Sequence, residues 1–245
     1  INLIKEIKKQ NFDKMIIFNS SLRFHLIAKL SRIPEIYQYP LFQKTNQHIT
    51  STPKTFMKKK MDIEVNEDPE IQIDDAIVSK SIEKFQLNKN ELNILLGVGG
   101  SGPTKRIPAK TFLNVMEKIS RHKRCKFFLA TGKEEAEQII LAEILNTKFK
   151  NLCVPLDNFS IKDTLPIIKS CSISICNDSS FSHLSAALGV NTITLMADTP
   201  LVYGNYSSKM FPIIPEGEET VTHNTLGKDK ISSEKIFNKI IEIIN

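Results

Sequence analysis

The sequence contains no apolar run that approaches the roughly 18 to 20 residues that a membrane-spanning helix needs. Its first residues also lack the basic and then apolar pattern of a secretory signal. These absences argue against an integral membrane protein and against a secreted one. We therefore expect the protein to lie in the cytoplasm.

Paired cysteines are also missing, since none of the four thiols belongs to a Cys-x-x-Cys motif. Cys125, Cys153, Cys171 and Cys176 lie in or beside apolar, strand-like runs, where a reduced thiol behaves as a small core residue. A zinc site would need ligand pairs that this spacing does not provide. The sequence therefore predicts reduced core thiols and no metal site.

An excess of acidic residues is absent as well, because 33 basic residues face 27 acidic ones and leave a net charge of +6. This charge favours an anionic partner such as a phosphorylated glycolipid, a membrane surface or a nucleic acid. The basic residues are scattered without interleaved aromatic residues, which argues against nucleic acid. Hydrophobic residues make up 41% of the 245 residues, enough for one large domain or two small ones.

The N-terminal part predicts one β-α unit followed by a connector. The chain begins without methionine and its first residues already have the apolar spacing of a helix, so we expect a further segment upstream of Ile1. A strand over 15–18, a polar turn and a helix over 22–30 follow. Residues 40–70 are rich in Pro, Thr and Lys and predict a loop-rich connector, in which the lysines at 58–60 form a solvated face.

The remainder alternates between short apolar strands and amphipathic helices, which predicts an α/β domain with an open parallel sheet and helices on both faces. The predicted strands are 93–96, 126–130, 152–154, 172–176 and 192–196. The predicted helices are 111–121, 134–145, one opened at Ser160, 183–188 and a last one over 233–244. We place the domain boundary near residue 80, which gives domains 1–80 and 81–245. Ligands of such sheets bind at the carboxyl ends of the strands.

A glycine-rich loop follows the first strand of this domain, and 97–102 matches the Gly-x-Gly-x-x-Gly dinucleotide motif. The context argues against a nicotinamide or flavin cofactor, because no helix opens at the third glycine and no ribose-binding acid lies about 20 residues on. Pro103 stands where a P-loop has its lysine. Gly100 can instead offer its backbone N–H to an anion, and Ser101, Thr104 and Lys105 add hydroxyl donors and charge. A basic, exposed turn is the alternative.

A second polar turn follows the strand that ends at Cys176. Asp178, Ser179, Ser180 and His183 lie between this strand and a helix of small residues. The helix start favours a diphosphate, and Asp178 can hold a lysine of the glycine loop or accept a sugar hydroxyl. Taken singly, Asp178 could be only an N-terminal cap and His183 only a histidine with a structural hydrogen bond.

Three ordered motifs together resemble those of the lipopolysaccharide heptosyltransferase family. They are Asn177-Asp-Ser-Ser-Phe-Ser-His183 with the helix that ends at Gly189, the loop Gly99-Gly-Ser-Gly-Pro-Thr-Lys-Arg-Ile-Pro108, and Leu129-Ala-Thr-Gly-Lys-Glu-Glu135. The resemblance is specific over 93–206 and looser over 12–30. It implies the GT-B fold, with two Rossmann-like domains facing a donor cleft, of which the N-terminal one is incomplete here. It also implies catalysis without a bound metal or other cofactor.

The resemblance further implies roles for individual residues in holding a nucleotide sugar. Ser101 and Lys105 would hold the diphosphate, Glu134 or Glu135 the ribose, and Phe159 would flank the base. Asp178 and Ser179 would lie at the junction of sugar and phosphate.

The chain also departs from the family pattern. Ser180 replaces a common glycine, Ile107 replaces a tryptophan, and Pro166 interrupts a predicted helix and is expected to kink it. The family's general base is an aspartate in an N-terminal Leu-Gly-Asp-type motif. No such motif occurs before Met15, so we expect the base upstream of Ile1 and assign no catalytic residue in this chain.

The resemblance implies a glycosyltransferase that moves a sugar, in this family a heptose, from an ADP-linked donor to a lipopolysaccharide-type acceptor. The expected partners are therefore a nucleotide sugar and a glycolipid or lipopolysaccharide-core acceptor, with peripheral contact with the inner membrane as an open alternative. A second hypothesis is a binding module that holds a nucleotide or nucleotide sugar without turnover. An intact upstream Gly-Asp motif would favour the enzyme.

Overall fold

The computed structural model describes residues 2–42, 49–88 and 90–245. Its contacts divide the chain into two compact units, Ile1–Glu67 and Asp68–Asn245. The assignment of 1–80 and 81–245 to an acceptor-side and a donor-side domain stays a prediction. Ile1, on which part of the N-terminal helix prediction rested, lies outside the described residues.

The first unit contains the predicted β-α unit and a second parallel strand. Its elements are α1 (Asn2–Lys9), β1 (Lys14–Ile17), α2 (Leu22–Leu30), β2 (Glu35–Gln38) and α3 (Ser51–Met61). The strands β1 and β2 pair in parallel register. The predicted polar turn caps α2, because Oγ of Ser21 accepts a hydrogen bond from the backbone N–H of Arg23 at 3.3 Å.

The prediction of a loop-rich connector over 40–70 is wrong for α3. This helix has few apolar residues, so its sequence periodicity is weak, but buried Phe56 anchors it. The ring of Phe56 makes edge contacts with Phe18 and Tyr39, with centroids 5.9 and 5.0 Å apart. The lysines at 58–60 form the last turn of α3. Residues 43–48 of the same segment lie outside the described residues.

The second unit alternates strands and helices as predicted. Its elements are α4 (Asp75–Lys84), β3 (Leu92–Gly97), α5 (Ala109–Ser120), β4 (Cys125–Ala130), α6 (Glu135–Leu145), β5 (Cys153–Pro155), α7 (Ile161–Lys169), β6 (Ile173–Asn177), α8 (Ser180–Ala187), β7 (Thr192–Leu195), β8 (Met210–Ile213) and α9 (Ser233–Ile244). All five predicted strands and the helices between them are confirmed; β8 was not predicted. The predicted interruption at Pro166 is wrong, because α7 continues through this residue; the expected kink stays a prediction.

The strands of this unit form one parallel sheet in the order β5-β4-β3-β6-β7-β8. Side chains of a strand point alternately to the two faces of a sheet. Ile94 and Leu96 of β3 accordingly belong to one buried cluster, with α5, α6 and α9, while Leu95 belongs to a second cluster with α7 and α8. Both faces are therefore covered, which explains why β3 is apolar without alternation. Within the described residues, no helix is long and apolar enough to cross a bilayer.

Candidate functional site

The order of the strands reverses between β3 and β6. From β3 the chain moves outward to β4 and β5, whereas from β6 it moves to β7 and β8 on the other side. The loops that leave β3 and β6 therefore diverge and open a crevice at the carboxyl edge, the place where ligands of such sheets bind. The glycine loop follows β3 and the Asp178 turn follows β6. The two motifs that the sequence analysis emphasised thus meet at this crevice.

An ion pair joins the two loops across the crevice. Nζ of Lys105 lies 2.6 Å from Oδ2 of Asp178, and Asp178 is buried to 6% exposure while Lys105 keeps 26%. Asp178 was expected to hold a lysine of the glycine loop, and this contact is present. The ammonium group therefore lies at the crevice while its charge is matched by a buried carboxylate.

Asn177 fixes the start of the glycine loop. Its side chain is fully buried, and Nδ2 donates to the carbonyl oxygens of Val98 at 2.9 Å and Gly99 at 3.2 Å. The backbone after β3 is thereby tied to the end of β6. The asparagine of the Asn-Asp motif thus shapes the site, although it does not line the adjacent cavity.

A cavity of about 530 Å³ lies at this edge of the sheet. Six of the predicted site residues line it: Gly100, Ser101, Glu134, Phe159, Ser179 and Ser180. The other predicted residues, Thr104, Lys105, Glu135, Asp178 and His183, are not part of its lining. Apolar side chains, among them Leu156 and Phe181, line the cavity together with the polar groups. The cavity therefore suits a ligand with both polar and apolar parts.

Two hydroxyl groups in the lining lack a protein partner. Oγ1 of Thr131 and Oγ of Ser179 are buried and make no hydrogen bond within the part of the chain that the structure describes. Ser179 also precedes the first turn of α8, whose free backbone N–H groups favour an anion. Buried polar groups without partners are costly, so these hydroxyls indicate a polar ligand.

Glu137 is a site residue that the sequence analysis missed. Its side chain is only 7% exposed, lines the cavity, and accepts a hydrogen bond through Oε1 from the backbone N–H of Gly100 at 2.7 Å. Within the described residues, this hydrogen bond is formed by Oε1, and none is formed by the second oxygen, Oε2. Gly99 and Gly132 make room for this carboxylate, because a Cβ atom on either would collide with it. The sequence signal that could have indicated this buried carboxylate is the pair Gly99 and Gly132, each of which follows one of two adjacent strands.

The predicted ribose ligands lie in different surroundings. Glu134 is exposed, precedes α6, and forms an ion pair with Arg106, whose Nε also donates to the carbonyl oxygen of Gly100 at 2.8 Å. Glu135 begins α6 and is exposed outside the cavity. Of the three neighbouring glutamates, Glu134 and Glu137 line the cavity, and Glu137 is the buried one.

His183 is half-buried on α8 and interacts with Tyr206. Its Nδ1 lies 2.6 Å from the Tyr206 hydroxyl, and the two rings stack with centroids 5.6 Å apart. Burial lowers the pKa of His183, although the Asp178 carboxylate opposes this effect. The imidazole is therefore neutral at neutral pH and can act as a hydrogen-bond donor or acceptor.

The thiols have the environment expected of core residues. All four cysteines are free. Burial raises the pKa of Cys125 to about 11 and that of Cys176 to about 12. In the parts of the chain that the structure describes, no group of three or more His, Cys, Asp or Glu residues could hold a metal ion.

The model of glycosyltransferase family 9 (heptosyltransferase) matches residues 1–220. The chain belongs to this family.

Relatives and solved structures agree with this assignment. The lipopolysaccharide heptosyltransferase 1 of Campylobacter coli is 31% identical over 162 residues, which are 64% of this chain and 46% of that protein. The chain thus spans about half the length of this relative. The E. coli ADP-heptose lipopolysaccharide heptosyltransferase II has 18% identity and a TM-score of 0.73 over 99% of this chain and 80% of that one. E. coli heptosyltransferase WaaC with ADP has 13% identity and a TM-score of 0.70 over 98% and 75%. At these identities the structures establish the fold, which is of the GT-B type.

Proposed function

We propose that the second unit binds the donor of a glycosyltransferase that moves a heptose from an ADP-linked sugar to a lipopolysaccharide-type acceptor. Membership of glycosyltransferase family 9 supports sugar transfer as the reaction class. The names of the related proteins, which refer to ADP, ADP-heptose and lipopolysaccharide, support this donor and this acceptor. The observation that carries the proposal is the Lys105–Asp178 pair beside a polar cavity at the strand-order reversal.

In this proposal the diphosphate lies between the glycine loop and α8. Gly100 and Ser101 line the cavity on one side, and Ser179 and Ser180 line it on the other. Lys105 and the N-terminal dipole of α8 would offset the negative charge that grows on the diphosphate as the bond to the sugar breaks. Asp178 holds the lysine and would lie at the junction of sugar and phosphate.

The nucleoside would lie against the wall of the cavity that is formed by α6 and α7. Oε2 of Glu137 is the carboxylate oxygen that we assign to the ribose hydroxyls, because Oε1 is already held by Gly100. Phe159 would flank the base. The role that the family resemblance gave to Glu134 or Glu135 thus passes, in our proposal, to Glu137. We assign no general base among the described residues that line the cavity.

Calorimetric titration tests the donor site. ADP and ADP-heptose should bind, and UDP should bind more weakly. Lys105→Ala, Asp178→Ala and Glu137→Gln should each weaken ADP binding by about tenfold or more, the loss expected for one charge-assisted hydrogen bond. Lys235→Ala on the exposed face of α9 is the matched control. A folded chain that binds none of these nucleotides would contradict the donor-site proposal.

The same protein then distinguishes transfer from binding alone. Release of ADP in the presence of donor and acceptor would support the enzyme. Binding of ADP-heptose without transfer would favour the non-catalytic binding module.

A further inference from the structure

A second groove lies beside the donor cavity, between α4 and α7. It has a volume of about 470 Å³ and is formed entirely by residues of the second unit. From α4 come Ile77, Lys80, Ser81 and Lys84, which follow the spacing of one helix face. The groove is therefore a continuous surface built by one stripe of α4 and the facing side of α7.

The groove has an excess of positive charge. Lys80, Lys84 and Lys162 line it, and none of them forms an ion pair within the described ranges. The one carboxylate in the lining, Asp163, already accepts a hydrogen bond from Oγ of Ser160 at 2.6 Å. Lys80 and Lys84 are four residues apart on one helix, a spacing at which like charges destabilise the helix.

The floor of the groove is aromatic and apolar. Phe85 and Phe159 lie with ring centroids 5.9 Å apart, and Nζ of Lys84 lies 5.4 Å from each centroid. The buried side chain of Ile167 closes the floor below them. An ammonium group that already covers both rings disfavours a cationic ligand and favours an anion. Apolar atoms of the ligand can pack against Ile77 and Pro166, which also line the groove, while its anionic group faces the lysines.

We propose that this groove is a second ligand site, distinct from the donor cavity, which takes the phosphate of a small ester with an apolar or aromatic body. Three ammonium groups from two helices match a phosphomonoester, which carries between one and two negative charges at neutral pH. Phe159 lines both cavities, so it forms the wall between the two sites. The donor and the second ligand bind on opposite sides of this ring and do not compete.

Titration with phenyl phosphate tests the site directly. We expect saturable binding in the millimolar range, weaker binding of benzoate and inorganic phosphate, and no binding of neutral benzyl alcohol. The triple variant Lys80→Gln, Lys84→Gln, Lys162→Gln should bind phenyl phosphate at least about tenfold more weakly. Lys235→Gln removes one exposed lysine of α9, outside the groove, and should leave binding unchanged.

Two further arms locate the ligand. Lys105→Ala, which removes the charge of the proposed donor site, should leave phenyl phosphate binding intact, and saturating ADP should not displace it. Loss of binding in Lys105→Ala with no effect of the triple variant would overturn the proposal, because the ligand would then occupy the donor cavity. The Lys105→Ala arm needs no ADP, so failure of the donor proposal would be seen separately.

Vesicles distinguish a lipid headgroup from a free ester. The protein should sediment equally little with phosphatidylcholine vesicles and with vesicles that also contain phosphatidic acid. Lysine-dependent sedimentation with phosphatidic acid, without binding of phenyl phosphate, would overturn the small-ligand site in favour of a lipid surface. Absence of binding in every arm would overturn it as well.

Discussion

Nζ of Lys105 lies 2.6 Å from Oδ2 of Asp178, and this pair connects the loops that leave β3 and β6. The two residues are 73 positions apart in the sequence and meet because β3 and β6 are neighbours in the sheet. The pair therefore depends on the strand order, and it in turn holds the crevice in which we propose the donor to bind.

The two halves of the pair should differ in their effect on stability. Lys105→Met leaves the buried carboxylate of Asp178 without its cation, whereas Asp178→Asn leaves a lysine that can still reach water. We expect Lys105→Met to lower the free energy of unfolding by about 1–3 kcal/mol and Asp178→Asn to lower it less. Urea denaturation of both variants measures this order. Equal losses of unfolding free energy in the two variants would mean that the burial of Asp178 does not determine how much each variant is destabilised.

The double variant provides the control for this interpretation. Because the two side chains contact each other, their effects should not add, and the double variant should lose less than the two single losses combined. Strict additivity would show that the ion pair contributes nothing to the stability of the second unit.

Gly132→Ala should weaken ADP binding and should also lower the free energy of unfolding, because displacement of Glu137 would break its buried hydrogen bond from the Gly100 N–H. A Cβ atom at position 132 would collide with Oε2 at the end of the Glu137 side chain, which can move away but then leaves its place in the cavity. We expect about a tenfold loss of affinity, the equivalent of one hydrogen bond to a charged group. Calorimetric titration with ADP and urea denaturation separate the two effects.

Gly102→Ala is the matched control for this experiment. A Cβ atom at position 102 would meet no other atom within 4 Å, although this glycine lies in the same loop as Gly100. Its affinity for ADP should equal that of the unmodified protein. If both alanine variants lost affinity equally, loop stiffness and not the position of Glu137 would explain the loss.

Glu137 also shows where the sequence could not reveal the site. In the sequence it is the third residue of a helix rich in acids, a pattern typical of a solvent-exposed helix start. Its burial depends on Gly99, which lies 38 positions earlier and follows the neighbouring strand. Lys105 and Asp178 were easier to predict, because each follows a strand whose apolar run marks the carboxyl edge.

The fold was predictable wherever burial was complete. The strands β3 and β6 are buried throughout, and their sequences are dominated by the apolar residues Ile94, Leu95 and Leu96 in β3 and Ile173, Ile175 and Cys176 in β6. The edge strand β8 was missed because it contains Pro212, which lacks the N–H that an inner strand needs. β2 was missed because it is short and only half-buried, and α3 because a single buried phenylalanine anchors it.

Gly97→Ala should destabilise the second unit through its sheet. Gly97 lies opposite Cys176 in the pairing of β3 with β6, and an added Cβ atom would come within 2.7 Å of Sγ and 3.2 Å of Cα of Cys176. The backbone cannot yield as a flexible side chain can, so we expect a loss of about 1–3 kcal/mol. Urea denaturation measures this loss, with Gly102→Ala as the reference. Equal midpoint concentrations of urea for the two variants would contradict the predicted loss.

Acidification should destabilise the protein partly through His183. Its pKa in the folded protein is lowered below the usual 6.5, chiefly by burial, while the unfolded chain has the ordinary value. Between these two values the unfolded state binds more protons, so the stability that neutral His183 provides above pH 6.5 is lost as the pH falls toward the folded pKa.

Replacement of His183 by glutamine removes this pH dependence and keeps a hydrogen-bonding side chain. Between pH 7.5 and pH 5.5, the melting temperature of the unmodified protein should therefore fall by about 1 to 3 °C more than that of His183→Gln. The other titrating groups are common to both proteins and cancel in the difference, so identical losses would show that the imidazole of His183 does not titrate differently on folding.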